Sequence, residues 1–311
     1  MELMKLRPIP KRAIWGKNEV GRYFGYADFP DDTGQTWCVS AHEEGSNQIA
    51  DGPHAGMTLK ELWETHHDLF QTDTERFPWI IGLVGPSDDL SVQVHPDDAY
   101  TIQHHLKDSG KNEGWYFFKT APKSRIVYGH TAETKEQFID MVQHGEWDRL
   151  LLHKDVHDGD FVYIPACTIH AMCKNTLVYE IQQNSNLTFR LFDYHRKDEE
   201  GNERKLHLKE ALETVSIPFL EEENKEYEES IDGQKVRVLA SNPSFELTLI
   251  ESNGNLRIHS KNTYSFISIL EGSGSLNDHA VKMGDHLLAL GDEEILFSGK
   301  LTAVICNEKK C

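Results

Sequence analysis

A short predicted strand carries two side chains that could bind one metal ion. In residues 90–95 apolar and polar residues alternate, so Gln93 and His95 project from the same face of the strand. Two residues along a strand span about 7 Å, and from there an amide oxygen and an imidazole can converge on one ion. A pair like this is more often an ordinary part of a strand, so the site depends on further ligands.

Two later segments supply ligands of a compatible kind. Glu113 opens the strand after the helix that follows His95, and a hairpin-like return of the chain would bring the two side by side. In residues 159–172 a Gly-Asp turn leads into an aromatic strand, a proline and then His170, which the turn would aim inward. One amide, two imidazoles and one carboxylate suit zinc, and also manganese or iron(II). We therefore predict a metal site of Gln93, His95, Glu113 and His170 with an open coordination position.

Two further strands place charged groups on polar faces. Val178, Glu180 and Gln182 share one face in residues 177–183, and Arg190 shares a face with its second neighbours in residues 187–192. An arginine among apolar neighbours requires an anionic partner. That partner could be a bound substrate or Glu180 itself, and the spacing leaves both open.

The elements that must position these residues are mainly strands. Aromatic and β-branched residues in period-two patterns predict strands over 90–95, 115–118, 161–164, 177–182, 187–192, 245–250, 264–270, 281–290 and 301–306. Helical periodicity predicts helices over 58–70, 97–106, 134–144 and 206–215. Thr58 and Glu61 have the spacing of a capping box at the start of the first helix. Many strands with a few helical insertions predict a mainly β protein built of jelly-roll barrels.

Composition limits the partners. The 311 residues contain 32 Lys and Arg against 51 Asp and Glu, a formal net charge of −19. Such a charge argues against nucleic acid or an anionic membrane as the main partner, and a small anionic ligand would need a few focused cations. The five cysteines form no C-x-x-C pair, so a disulfide framework and a thiolate zinc site are not expected. No apolar run is long enough for a membrane span or a signal peptide core, and we expect a cytoplasmic protein.

Several blocks resemble the type I mannose-6-phosphate isomerase family in its short bacterial form. The blocks are LSVQVHPDD, GKNEGWYFF, VYIPACTIHAM and YEIQQNSNLTFRLFDY, with WGKNEVGRYF and TWCVSAHEEGSNQI nearer the start. The resemblance runs from Trp15 to Tyr194. The spacing from Gly159 through Pro165 to His170 also resembles the second motif of the cupin superfamily, although Cys167 stands where that motif usually has glycine.

The resemblance implies a cupin fold with one Zn²⁺ per chain and a sugar phosphate as substrate. It implies zinc ligands at His95, Glu113 and His170, while Gln93 matches the fourth ligand of longer family members. It further implies that Arg190 is the active-site arginine and that three other residues line the pocket. These three are Ser91, Lys111 and Glu180. The family often has glutamate where this chain has Gln35, and Asn112 separates Lys111 from Glu113 here; neither departure removes a ligand.

Domain organisation follows from one acidic stretch. Residues 219–233 contain six glutamates and few apolar residues, which is typical of a solvated connection. We therefore predict a metal-binding catalytic cupin domain over residues 1–232 and a smaller cupin-like β domain over residues 233–311. The second domain lacks the metal-binding pattern, because its MGDHLLALGDEE segment has no following proline and histidine and His259 stands alone.

The expected reaction interconverts mannose 6-phosphate and fructose 6-phosphate. It moves a proton between C1 and C2 through a cis-enediol, and therefore needs a base with a pKa near 7 and a group that stabilises the enediolate. Zinc would be the Lewis acid. Arg190, Lys111 and Glu180 are the catalytic candidates, and Ser91, Lys111 and Arg190 the substrate-binding ones. The sequence does not decide which group is the base for proton transfer, and the candidates are Glu180, Lys111, a metal-bound water and His42.

Two other functions are consistent with parts of this pattern. A cupin oxygenase using iron or manganese would have a similar site, but such sites more often have a histidine at the position of Gln93. A non-catalytic cupin that binds sugar phosphates would need the same ligands without turnover. Isomerisation of another hexose or pentose phosphate is a third alternative. We expect a monomer or a weak homo-oligomer.

Overall fold

The computed structural model describes residues 1–231, 233–259 and 263–308 and is mainly β, as the sequence predicts. Its strands are β1 (Glu2–Leu6), β2 (Ile9–Arg12), β3 (Thr33–His42), β4 (Gly45–Ser46), β5 (Trp79–Val84), β6 (Val92–Val94), β7 (Glu113–Thr120), β8 (Arg125–His130), β9 (Leu151–Asp155), β10 (Phe161–Ile164), β11 (His170–Met172), β12 (Thr176–Gln183), β13 (Phe189–Phe192), β14 (Tyr227–Ile231), β15 (Gln234–Ser241), β16 (Glu246–His259), β17 (Tyr264–Leu276), β18 (His279–Lys282), β19 (His286–Leu290) and β20 (Glu294–Asn307). The helices are α1 (Glu19–Phe24), α2 (Leu59–Thr65), α3 (Asp98–Gln103), α4 (Lys135–Gln143), α5 (Trp147–Leu150) and α6 (Leu208–Thr214), with a 3₁₀ turn at His67–Leu69. Across the described ranges, no helix is long and apolar enough to cross a membrane.

The chain divides into two compact units, and neither is continuous in sequence. Unit 1 contains Met1–Ile9, Trp37–Ile81 and the described residues from Asn224 onward, whereas unit 2 contains Pro10–Thr36 and Gly82–Glu223. The predicted boundary ends at Asp232, which lies outside the described residues. A division into a metal-binding domain over 1–232 and a metal-free domain over 233–311 therefore stays a prediction.

Unit 1 contains an eight-stranded antiparallel sheet. Its strands follow the order β1-β19-β17-β20-β16-β15-β14, with β18 added to β17. Strands β16 and β20 pair along fourteen residues each, so the sheet has a long central ladder. Buried residues such as Leu256, Ile267, Leu287 and Phe297 form its apolar core.

Unit 2 contains the predicted metal ligands and two sheets. Strands β10, β7 and β12 continue in that order into the parts of β5, β3 and β2 that belong to this unit. The second sheet has the order β13-β6-β11-β8-β9. Aromatic residues of β7 and β-branched residues of β10 favour the strand conformation and pack in one apolar cluster, which includes Trp115, Phe117 and Val162. A second cluster, which includes Val94, Phe138 and Leu191, packs the other sheet and its helices.

The predicted helices are present but shorter than expected, and α1 and α5 were not predicted. Thr58 caps α2 as expected, since its hydroxyl accepts from the amide of Glu61 while the Glu61 carboxylate accepts from the amide of Thr58. Strand prediction was wrong at residues 281–290, which form two strands. Gly284 has a φ of 87° there, and the turn that it makes separates β18 from β19.

The prediction of an acidic connection was wrong for residues 227–231. These residues form β14, which pairs with β15. Basic residues of β15 pair with two acidic residues of the stretch: Lys235 contacts Glu228 of β14 at 2.9 Å, and Arg237 forms an ion pair with Glu226, which directly precedes β14. The run of acidic residues therefore did not indicate the strand β14, whose neighbour β15 carries basic residues.

Candidate metal centre and active site

Two antiparallel strands of unit 2 bring the histidines together. His95 directly follows β6 and His170 opens β11, where its backbone is opposite Gln93. Both imidazoles are buried, and their Nε2 atoms lie 3.2 Å apart. This is the convergence that the sequence predicts for the two rings.

Backbone carbonyls orient both rings in the way that suits a metal ligand. His95 Nδ1 lies 2.7 Å from the carbonyl oxygen of Leu187, and His170 Nδ1 lies 2.9 Å from that of Thr168. A carbonyl can only accept, so each Nδ1 carries the proton and each Nε2 presents a lone pair. Two facing lone pairs repel each other at this distance unless a cation lies between the ligands.

Glu113 completes the triad from the first residue of β7. Its Oε1 lies 3.4 Å from His95 Nε2 and its Oε2 lies 3.6 Å from His170 Nε2. Oε2 is buried without a hydrogen-bond partner in the described part of the chain. One ligand atom from each of the three residues lies within 4.8 Å of the others. Two imidazoles and a carboxylate fit a divalent metal ion of the zinc, manganese or iron type.

Burial and charge set the protonation of these three side chains. Burial, reinforced by the charge of Lys111, lowers the pKa of His95. Burial, reinforced by the neighbouring His95, lowers the pKa of His170 to about 3. Burial is the largest single influence on Glu113 and opposes its ionisation, but Lys111, His95 and His170 together outweigh it and hold the pKa well below its usual range. The site therefore combines two neutral imidazoles with an ionised carboxylate, which is the form in which these groups bind metals.

Gln93 and Lys111 also reach the triad. Gln93 Nε2 lies 3.4 Å from His170 Nε2, and Ser91 Oγ donates to Gln93 Oε1 at 3.4 Å. The buried Lys111 ammonium contacts Glu113 Oε1 at 2.6 Å. The structure thus brings the four predicted ligands and a lysine into one cluster, while direct ligation by Gln93 stays a prediction.

Arg190 lies next to this cluster on β13, with its backbone opposite Gln93. Its Nε donates to Ser91 Oγ at 3.3 Å and its Nη1 donates to the carbonyl oxygen of Lys205 at 3.1 Å. Burial is the main cause that lowers its pKa. Among the described residues Arg190 makes no ion pair with Glu180, which does not support the internal salt bridge considered from the sequence.

Glu180 has a different pair of partners. The residue lies on β12 opposite Trp115, whose indole Nε1 donates to Oε1 at 3.0 Å. Gln35 Nε2 donates to Oε2 at 2.6 Å. Burial and the nearby charge of Glu113 raise the pKa of Glu180 to about 7, although these hydrogen bonds and Lys111 act in the opposite direction. Sequence reasoning noted Gln35 only as a departure from the family pattern and missed its contact with Glu180.

The turn before His170 has the conformation that the cupin-like motif suggests. Cys167 has a φ of 67°, a region that glycine enters at little cost. Its amide donates to the carbonyl oxygen of His95 at 2.7 Å, so the turn connects the two ligand segments. Burial raises the pKa of the Cys167 thiol to about 11, which leaves it protonated and unreactive at neutral pH. His42 belongs to unit 1, and its Nδ1 accepts from the amide of Glu44.

The fold is of the cupin type, and the site is a buried triad that could hold a metal ion. The family model for the catalytic domain of phosphomannose isomerase type I matches residues 3–114. Mannose-6-phosphate isomerase ManA of Bacillus subtilis is 38% identical over 292 residues, which cover 92% of each chain. The mannose-6-phosphate isomerase of Streptococcus mutans is 34% identical over 307 residues, 96% of each chain. This chain belongs to the type I mannose-6-phosphate isomerase family.

Solved structures agree with that assignment. The crystal structure of the mannose 6-phosphate isomerase from Bacillus subtilis superposes with a TM-score of 0.95 at 34% identity, covering 99% of this chain and 100% of that chain. A mutant phosphomannose isomerase from Salmonella typhimurium gives a TM-score of 0.81 at 14% identity over the full length of both chains. The second comparison shows the fold alone.

Proposed function

We propose that the protein interconverts mannose 6-phosphate and fructose 6-phosphate with one Zn²⁺ per chain. The observation that carries this proposal is the convergence of two Nε2 lone pairs and the Glu113 carboxylate beside Lys111. The relatives named for this activity align along nearly the whole chain. We also propose that the enzyme is cytoplasmic and that it is a monomer or a weak homo-oligomer.

His95, Glu113 and His170 would hold the metal, with Gln93 as the proposed fourth ligand. Zinc bound there would supply Lewis acidity that polarises the sugar carbonyl and stabilises negative charge, without redox chemistry of its own. The protein side of the site fits this role, because the two Nε2 atoms lie 3.2 Å apart and the buried Glu113 Oε2 has no hydrogen-bond partner among the described residues.

Glu180 is the residue best placed to transfer the proton. A base for this reaction must be ionised in the ground state and still accept a proton, which requires a pKa near neutrality. Burial and the charge of Glu113 raise the pKa of Glu180 to about that value. Lys111 would oppose the negative charge that develops on the enediolate, since its ammonium lies beside Glu113. Lys111 and a metal-bound water remain alternatives for the base.

Arg190 and Ser91 are the proposed contacts for the anionic part of the substrate. The guanidinium is held by Ser91 and by the carbonyl of Lys205, and neither contact neutralises its charge. A planar guanidinium of this kind suits a phosphate or an oxyanion of the substrate. With a net charge of −19, the chain offers no general attraction for a dianion, so binding depends on these few cations.

The alternatives are not favoured. Sequence identity to mannose-6-phosphate isomerases extends along the chain, which weighs against an oxygenase. A binding protein without turnover would not need Glu180, a buried carboxyl with a pKa raised to about 7 beside the metal ligands.

Two variants test the proposed roles. His170→Ala should lose both metal and turnover of mannose 6-phosphate, whereas Arg190→Ala should keep the metal and lose turnover about 100-fold or more. The measurements are metal analysis of the purified proteins and a coupled assay that detects fructose 6-phosphate. His144→Ala and Arg149→Ala make the same changes at exposed side chains and should match the unaltered protein. Equal metal loss in both site variants would show that Arg190 is structural, and an unaltered protein that holds metal but does not turn over would overturn the function.

A further inference from the structure

Both oxygens of the Glu180 carboxylate are fixed by donors from two different strands. Trp115 Nε1 on β7 donates to Oε1 at 3.0 Å, and Gln35 Nε2 on β3 donates to Oε2 at 2.6 Å. Glu180 itself lies on β12 and is buried. A carboxylate held at both oxygens has one orientation, whereas loss of either donor frees rotation about its terminal bond.

The contact with Gln35 depends on a glycine in the strand between. In this sheet β5 lies between β12 and β3, so the Gln35 side chain must cross β5 to reach Glu180. Gly82 is the β5 residue beneath this path. A Cβ atom at position 82 would lie 3.4 Å from Gln35 Nε2 and 3.0 Å from the carbonyl oxygen of Thr36. The absence of a side chain at Gly82 therefore leaves the space that the Gln35 amide occupies.

The amide at position 35 gives the contact with Glu180 a donor that carries no charge. An ionised Glu180 can only accept hydrogen bonds, and a glutamine supplies an N–H without adding charge. A glutamate at the same place would bring a second carboxylate to hydrogen-bond distance, and the two would have to share a proton or repel each other. Gln35 is thus matched to an ionised Glu180, to which it donates at 2.6 Å.

We propose that Gln35 is a positioning residue for the isomerisation: it acts through Glu180 by fixing that carboxylate, together with Trp115, in the orientation needed for proton transfer. The inference rests on the proposed function, because it takes Glu180 as the group that moves the proton. It assigns no substrate contact to Gln35. Loss of the donor should therefore slow the chemical step and leave substrate binding unchanged.

The test compares Gln35→Met, which keeps the length of the side chain without a donor, with Gln35→Glu, which keeps its shape. In metal-loaded protein Gln35→Met should lower kcat about tenfold and leave KM within about twofold. With mannose 6-phosphate deuterated at C2, the kinetic isotope effect on kcat should rise, since C–H cleavage becomes more rate-limiting. Gln35→Glu introduces the residue that the family often has here, and since two carboxyl groups can share one proton it should lower kcat less than Gln35→Met does. Gln137→Met, on the exposed face of α4, is the matched control and should leave every parameter unchanged.

The outcomes separate this inference from the proposed function. No turnover by the metal-loaded, unaltered protein would overturn the function itself. Turnover by the unaltered protein together with an unchanged kcat in Gln35→Met would overturn the inference alone. A fall in kcat that merely follows loss of bound metal, or an isotope effect that does not rise, would also overturn it, because either result would make Gln35 a structural residue. Should Gln35→Met fail to fold, Gln35→Leu gives the same comparison, because leucine also lacks a donor.

Discussion

Replacing His286 with asparagine should remove a source of acid sensitivity from unit 1. His286 lies on β19, is fully buried, and its Nδ1 lies 2.9 Å from Ser268 Oγ on β17. Burial lowers its pKa from 6.5 to about 4, against the opposing charge of Asp285. Asparagine places an amide where Nδ1 lies and can keep the contact with Ser268, but it does not titrate.

The sign and size of the effect follow from the two pKa values. Between pH 6.5 and 4 the unfolded chain binds a proton at His286 and the folded chain does not, so the free energy of unfolding falls as the pH falls. The shift of the His286 pKa from 6.5 to about 4 corresponds to about 3 kcal/mol of the free energy of unfolding. Most of this contribution is lost when the pH falls to about 4.5.

Urea unfolding near pH 7 and near pH 4.5 measures this contribution. The unaltered protein should lose about 2 kcal/mol more between the two conditions than His286→Asn, whatever other groups titrate, because those groups are common to both proteins. His157→Asn makes the same substitution at an exposed histidine and should show the dependence of the unaltered protein. Identical pH dependence in His286→Asn would refute the reasoning.

Two other substitutions have defined outcomes. Cys167→Gly should raise the free energy of unfolding by about 0.5–1 kcal/mol in urea unfolding, because glycine relieves the cost of a φ of 67°. Asn175→Gly, at a φ of 68°, should gain less since asparagine tolerates this region, and an equal gain would contradict the argument. Glu180→Gln should keep its metal and lower kcat about 100-fold or more in the coupled assay, with the exposed Glu136→Gln as control. A kcat within about twofold would exclude Glu180 as the base.

Local patterns were enough to predict that His95, Glu113 and His170 lie close together. Alternation in residues 90–95 placed His95 correctly although β6 has only three residues, and the return of the chain through α3 brings Glu113 beside it. Motif spacing placed Cys167 where the cupin motif usually has glycine, and the structure shows a positive φ there, which glycine adopts at little cost. The positions of His95, Glu113 and Cys167 depend on neighbouring residues or on one hairpin-like connection. Sequence periodicity and motif spacing describe such local relations well.

Features that depend on strand order could not be predicted in the same way. Gln35 meets Glu180 only because β5 lies between their strands and has Gly82 at the crossing point. The two compact units likewise join segments from distant parts of the chain, which a linear charge pattern cannot show. Strand β14 was hidden because Glu228 in the strand and Glu226 just before it are paired with basic residues that come later in the sequence.

The dependence of turnover on bound metal tests the central claim most directly. Protein stripped with a chelator should not convert mannose 6-phosphate, and stepwise addition of Zn²⁺ should restore turnover in proportion to the metal bound. The rate should reach its limit at about one metal ion per chain, as expected for one site made by His95, Glu113 and His170. Full turnover in the stripped protein, or none after one equivalent has bound, would contradict the account.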